Sequence, residues 1–207
     1  MTTRNVTRNG ARPRQSLHTI VALVEDQPGV LNRVASLFRR RGFNIESLAV
    51  GHTETPGISR MTLVVDGAKT VIEQVEKQLY KLIDVVKVAD ITHDPIVARE
   101  LALVKVRCNT RSRSEIIQIA QVFRADVVDV AETSLIIQVA GGEDKVDAFL
   151  QAVKPYGIRE VVRTGRIALT RGAVGDTAVT EVEPQDVREF HAHAGRRPKG
   201  ALPYVSD

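Results

Sequence analysis

Hydrophobic periodicity changes along this chain in a fixed order, and the same order occurs twice. Residues 18–24 are mostly apolar and rich in β-branched side chains, the pattern of a buried strand. Val30, Leu31, Val34, Leu37 and Phe38 then recur on one helical face. Arg39, Arg40, Arg41 and Gly42 close that helix, because cations suit its negative end and glycine suits the left-handed position beyond it. Residues 43–51 predict a strand, Glu54-Thr55-Pro56-Gly57 a turn, and residues 59–66 a second strand with Met61, Leu63 and Val65 on one face, so the two make a hairpin. Residues 69–80 read as a helix carrying Val71, Ile72, Val75 and Leu79 on a stripe, with Glu73 and Lys77 as an i, i+4 pair worth about 0.3 kcal/mol. Residues 82–89 read as a strand again.

The sequence from Leu101 repeats the order. Residues 101–108 predict a strand, and residues 114–123 a helix with Ile116, Ile117, Ala120 and Phe123 inward. Residues 125–131 and 135–140 predict strands, and residues 144–153 a helix with Val146, Phe149, Leu150 and Val153 inward. Pro155-Tyr156-Gly157 ends that helix, and residues 158–169 supply one last strand. Strand, helix, strand, strand, helix, strand is the split unit of ferredoxin-like folds. The expected class is α+β, with two βαββαβ domains in tandem, each a two-layer sandwich with helices on one face of an antiparallel sheet. The boundaries are residues 17–91, a linker at 92–99 and a second domain at 100–171. Residues 1–16, with Arg4, Arg8, Arg12 and Arg14 and no acid, read as a disordered tail, as do residues 172–207, where apolar periodicity fails. An organellar targeting peptide is also Arg-rich and acid-poor, but the first segment is short and barely amphipathic.

Composition excludes several classes. No apolar run approaches the ~20 residues of a membrane-spanning helix. The single cysteine, Cys108, sits in a strand-like run, forms no internal disulfide and suits a reducing, cytoplasmic compartment. The net charge of +4 raises the question of nucleic acid. RNA-binding modules of this topology stack bases on aromatic residues of the central strands, and residues 18–24 and 59–65 contain none, so nucleic acid is not the expected partner. Phosphate loops, dinucleotide fingerprints, serine elbows and paired metal-ligand motifs are absent. Gly141-Gly142-Glu143-Asp144-Lys145 is a glycine turn before a helix, and His191 and His193 lack further ligands nearby. No metal site is expected, and Glu25, Asp26 and Glu46 have no acid–base partner close in sequence. These observations favour a binding or regulatory role over an enzyme.

The candidate binding element is the turn Glu25-Asp26-Gln27-Pro28-Gly29-Val30-Leu31. Asp26 can cap the helix, Pro28 is tolerated in its first turn, and Gly29 leaves the backbone bare. Free N–H groups and the positive end of the helix dipole suit a small carboxylate. A capped helix start after a strand is also ordinary structure, so the turn alone assigns nothing. The matching turn of the second half, Asn109-Thr110-Arg111-Ser112-Arg113, lacks proline and glycine, which argues against two equal sites.

The same turn resembles that of an ACT domain, a module that binds amino acids. Residues 40–48 (Arg-Arg-Gly-Phe-Asn-Ile-Glu-Ser-Leu), Ser59-Arg60-Met61-Thr62, residues 78–85 and residues 99–106 resemble the regulatory, small subunit of acetohydroxyacid synthase (acetolactate synthase), as do Phe123-Arg124-Ala125 and Thr170-Arg171-Gly172. The resemblance covers residues 17–172. It implies a subunit that is not itself catalytic. Such a subunit binds and activates the large catalytic subunit and confers feedback inhibition by branched-chain amino acids, chiefly valine, in valine, leucine and isoleucine biosynthesis. It implies no cofactor in this chain; the catalytic partner carries thiamine diphosphate, Mg and FAD. It further implies a homodimer through the ACT domain, with effector contacts at Asp26, Gly29, Val30, Leu31, Asn44 and Ile45. The effector would lie between the 26–31 turn of one chain and the Asn44–Ile45 strand of the other. Family members can carry Asn in place of Asp26; a carboxylate there accepts from an ammonium but cannot donate to a carboxylate. The alternative is a free-standing amino-acid sensor of ACT type with no synthase partner.

Overall fold

The computed structural model describes residues 17–172. The expected tail at 1–16, residues 173–207 of the other, and with them His191 and His193, lie outside the described residues. The first domain runs β1 (Leu17–Glu25), α1 (Val30–Arg41), β2 (Ile45–His52), β3 (Ile58–Asp66), α2 (Lys69–Leu79) and β4 (Val85–Asp90). The second runs β5 (Ile96–Arg107), α3 (Ser112–Val122), β6 (Asp126–Val130), β7 (Ser134–Gly141), α4 (Glu143–Val153), a 3-10 turn at Lys154–Tyr156, β8 (Ile158–Arg163) and β9 (Ile167–Thr170). The sheets have strand orders β2-β3-β1-β4 and β6-β7-β5-β8, the same arrangement twice, with antiparallel neighbours throughout. The architecture is α+β, two ferredoxin-like βαββαβ domains in tandem.

Each domain packs two helices on one sheet face. Ile20, Ala22 and Val24 of β1 meet Val34, Leu37 and Phe38 of α1 and Ile72, Val75 and Leu79 of α2. Ala102, Val104 and Val106 of β5 meet Ile116 and Ala120 of α3 and Val146, Phe149 and Val153 of α4. Helix α1 ends at Gly42 with φ 70°, as its basic last turn and glycine imply. Leu31 departs from the expected stripe. It is 46% exposed, because its place in the first turn points away from the sheet while Val30 takes the buried position.

Three expectations need correction. The strand read over 82–89 starts at Val85; residues 82–84 form a turn that buries Asp84. Residues 96–99 of the expected linker are the first part of β5. The last strand, read over 158–169, is two strands, broken at Thr164-Gly165-Arg166 where Gly165 adopts φ 82°. The break has a structural use. Strand β5 pairs with β7 and β8 from residue 100 onward, but its first four residues pair with β9, Ile96 with Thr170 through Arg99 with Ile167.

This ribbon covers part of the face of the first sheet that the helices leave open. Ile96, Ala98 and Ala168 pack on Val21 of β1 and on Ala89 and Ile91. The simple two-layer picture is therefore incomplete for the first domain. Small side chains at positions 89, 98 and 168 let the layers approach closely, and Arg60 Nη2 donates to Ala168 O at 2.9 Å. Burial pushes the Arg60 guanidinium below its ordinary value, against the opposing pull of Glu54.

The outer edge of β4 is closed by side chains of α2 and of Tyr80, the residue that follows it. Tyr80 Oη donates to Val88 O at 2.9 Å and accepts from Val88 N–H at 3.1 Å, and Asp90 N–H donates to Glu76 Oε1 at 2.9 Å. Tyr80→Phe removes both bonds at Val88 and should cost about 1–2 kcal/mol, read as a lower urea midpoint at unchanged slope. An unchanged midpoint would mean that water replaces the phenol without loss.

Candidate functional site

The turn after β1 is held by backbone bonds to both neighbouring strands' ends. Glu25 N–H donates to Asp84 O at 2.8 Å and Asp26 N–H to Gly57 O at 2.8 Å. Gln27 N–H then closes onto Glu25 O at 3.0 Å, and Val30 N–H onto Gln27 O at 3.4 Å. Gly29 occupies the N-cap position of α1 with φ 91°, ψ −11°, and no side chain caps the helix. A left-handed backbone of this kind favours glycine because a Cβ would crowd the chain.

The expected role of Asp26 as cap is thereby corrected. It lies three residues before the N-cap and makes no capping bond, and its Oδ2 sits 3.2 Å from His52 Nδ1. Pro28 precedes the helix rather than standing in its first turn. The bare helix start remains. Val30 is buried, while Asp26, Gly29 and Leu31 face solvent.

Beneath this turn lies a pair that sequence reasoning missed. Arg33 Nε and Nη2 donate to the two carboxylate oxygens of Asp84 at 2.5 and 2.7 Å. The Asp84 side chain is 7% exposed and Arg33 46%. The guanidinium folds back toward Gly29; a Cβ built there would stand 3.6 Å from Arg33 Nη1. The available signal was an acid inside an apolar run, Leu82-Ile83-Asp84-Val85, since a buried carboxylate requires a cation. Asp84→Ala should destabilise the chain by about 1.5–3 kcal/mol, the range for hydrogen bonds to charged groups, because half-exposed Arg33 can return to water. A urea midpoint within error of wild type would deny the pair that role.

Asn44 and Ile45 are elsewhere. Asn44 is exposed just before β2, and its Nδ2 donates to Glu46 Oε1; Ile45 is half-buried against the core. They follow the C-terminal end of α1, whereas Gly29 stands at its start, and a 12-residue helix is about 18 Å long. Along the sheet, Glu25 pairs with Ile58 at one end and Ile45 with Val65 toward the other. One chain thus brings Asp26, Gly29, Val30 and Leu31 together and keeps Asn44 and Ile45 apart from them, too far for one amino acid to touch both.

The second domain's equivalent turn is closed by its own side chain. Asn109 Oδ1 accepts from the N–H groups of Arg111 and Ser112 at 3.0 and 2.9 Å and from Ser112 Oγ at 3.1 Å. The turn before α3 is thus closed by a side chain, whereas the turn before α1 is closed by the Gln27 carbonyl with no side-chain cap. The histidine of β1 is structural: His18 is buried, with Nδ1 3.1 Å from Asp90 Oδ2. Cys108 is buried beside Arg113, whose Nη2 also holds the carbonyls of Ala131 and Glu132. Among the described residues no three His, Cys, Asp or Glu side chains gather as a metal site, and no helix is long and apolar enough to cross a membrane.

Comparisons with known proteins bear on both domains. A family profile described as an AHAS small subunit-like ACT domain matches residues 20–87, and one described as the small subunit of acetolactate synthase matches residues 99–172. The probable acetolactate synthase small subunit of Archaeoglobus fulgidus is 56% identical over 155 residues, covering 75% of this chain and 97% of the relative. The acetolactate synthase small subunit of Mycobacterium leprae is 52% identical over 158 residues, covering 76% of this chain and 94% of the relative. The crystal structure of the acetolactate synthase small subunit from Thermotoga maritima superposes with a TM-score of 0.72 at 42% identity, covering 77% of this chain and 99% of that one. With both domains matched and relatives more than half identical, this chain belongs to the family of acetolactate synthase small subunits.

Proposed function

We propose that this chain is the non-catalytic, regulatory subunit of acetolactate synthase, which activates the catalytic subunit and makes it sensitive to branched-chain amino acids, chiefly valine. The observation that carries this reading is the family match through both domains. It also disfavours a free-standing sensor, since residues 99–172 match the small subunit itself rather than a generic amino-acid-binding module. Thiamine diphosphate, Mg and FAD belong to the catalytic partner, which works in the cytoplasm and forms 2-acetolactate from pyruvate.

The effector site is shared between two chains. Side chains of α2 and of Tyr80 close the β4 edge, so β2 is the edge offered to a second copy. Antiparallel pairing of two β2 strands about a twofold axis sets residue 45 of one chain near residue 52 of the other. His52 contacts Asp26, so Asn44 and Ile45 of one chain meet the 26–31 turn of the next. The effector carboxylate meets the N–H groups at the start of α1 near Gly29 and Val30. Its ammonium meets Asp26 or the side-chain carbonyl of Asn44, and its branched side chain buries against Leu31 and Ile45, worth about 1.5–3 kcal/mol. A site that spans an interface can alter the dimer, and such coupling is typically ~1–3 kcal/mol.

The test is acetolactate production by purified cognate catalytic subunit, with and without this chain, across a valine titration. Activation followed by valine inhibition supports the proposal. Activation without inhibition keeps the partner and turns the search to leucine and isoleucine. No effect on the cognate catalytic subunit refutes the regulatory reading.

A further inference from the structure

The bend between β8 and β9 touches both domains within three residues. On the second-domain side, Thr164 N–H donates to Leu101 O at 3.0 Å and Leu101 N–H donates to Thr164 Oγ1 at 3.1 Å. The guanidinium of Arg166 reaches Glu143 Oε2 at the start of α4. On the first-domain side, Arg166 N–H donates to Ser47 Oγ of β2 at 2.8 Å, and Arg166 Nη1 donates to Thr19 Oγ1 of β1 at 3.1 Å. Gly165 lies so close to β2 that a Cβ there would stand 2.7 Å from Ser47 Oγ and 3.2 Å from Leu48 O. Its φ of 82° disfavours any other residue as well.

Two features make this contact more than glue. The bend lines a cavity of about 570 Å³ between the domains, with Glu46, Asp66 and Glu100 on its walls, so here the domains meet across open space bridged by a few polar groups. Ser47 also stands at the register shift of β2 between Ile45 and Ser47. A bulge is a place where a strand can adjust locally, and Ser47, two residues from Ile45, is the β2 residue bonded to the bend. Resting on the regulatory reading above, we propose that the Gly165–Arg166 bend, clasped to Ser47, transmits effector occupancy from the first domain to the second. Arg166 and Ser47 act as positioning residues and do not contact the effector.

The test uses the full chain with its catalytic subunit. Wild type, Gly165→Ala and Ser47→Ala are compared by calorimetric valine binding to the dimer and by maximal valine inhibition of the reconstituted enzyme. Ser47→Ala removes one hydroxyl from a half-buried strand position and keeps the test valid if Gly165→Ala fails to fold. The expected result is a valine Kd within twofold of wild type in both variants, with maximal inhibition more than halved in Gly165→Ala and reduced by at least a third in Ser47→Ala. Wild-type inhibition in Ser47→Ala overturns the clasp and leaves the regulatory reading standing. A Kd that rises in step with the loss of inhibition assigns these residues to the binding site and likewise overturns transmission. A wild-type chain that neither binds nor responds to valine, leucine or isoleucine overturns the amino-acid-sensing part of the regulatory reading, and the clasp with it.

Discussion

Gly29→Asp should weaken effector binding by at least about 100-fold while the chain stays folded and still activates the catalytic subunit. Gly29 has φ 91°, a region that aspartate visits more readily than most residues, so the local cost is about 1–2 kcal/mol. Space exists, since the new Cβ would stand 3.6 Å from Arg33 Nη1. The added carboxylate then faces the position proposed for the effector's own carboxylate. Two like charges about 4 Å apart repel by roughly 4 kcal/mol at an effective dielectric of 20. Salt and solvent at this exposed turn reduce that figure, and about 2.7 kcal/mol is enough for a hundredfold loss. Gly29→Ala shares the backbone strain without the charge and serves as the control; it should lose far less. An unchanged Kd in Gly29→Asp would place the effector carboxylate somewhere else.

The largest loss of stability is expected from Phe149→Ala. Phe149 is fully buried in the second core and lies edge-to-face with Phe123 at a centroid distance of 5.5 Å. Aromatic residues make up only 4% of this chain and tryptophan is absent, so each buried ring fills a volume that aliphatic neighbours cannot close. The expected cost is about 3–5 kcal/mol, a large part of the ~5–15 kcal/mol that holds a typical domain folded. Urea unfolding followed by circular dichroism reads this as a clear fall in midpoint. Activation should fall with it at physiological temperature, because the second domain and its ribbon melt together. A loss below about 1 kcal/mol would show that the core collapses around the gap.

The order of elements was legible because each helix and strand advertises its own period. Val34, Leu37 and Phe38 mark the face of α1, and Met61, Leu63 and Val65 that of β3, whatever lies opposite. The glycine at the start of α1 was legible as a bare backbone, though its place at the N-cap and the distance to Asp26 were not. Leu31 looked like part of the stripe because periodicity reports a face about as wide as two turns and cannot say which flank turns outward. Asp84 and Arg33 are 51 residues apart, and His52 and Asp26 also lie on separate elements; pairing of this kind leaves no mark in local pattern.

One clue went further than its reading. Residues 18–24 carry apolar side chains on both alternating faces, Ile20, Ala22 and Val24 on one and Val21 and Leu23 on the other, and a strand with helices on one side needs only one. In the structure all seven are buried, the second face in part by the β5–β9 ribbon. Local chemistry was sufficient to set secondary structure, fold class and the polarity of each helix, since these depend on side chains a few positions apart. It left open what covers the back of the first sheet, where the final strand bends, and which cation neutralises the buried Asp84. Those depend on surfaces meeting across long stretches of chain, through contacts such as Arg166 to Thr19 and Arg60 to Ala168 that exist only once both domains have folded.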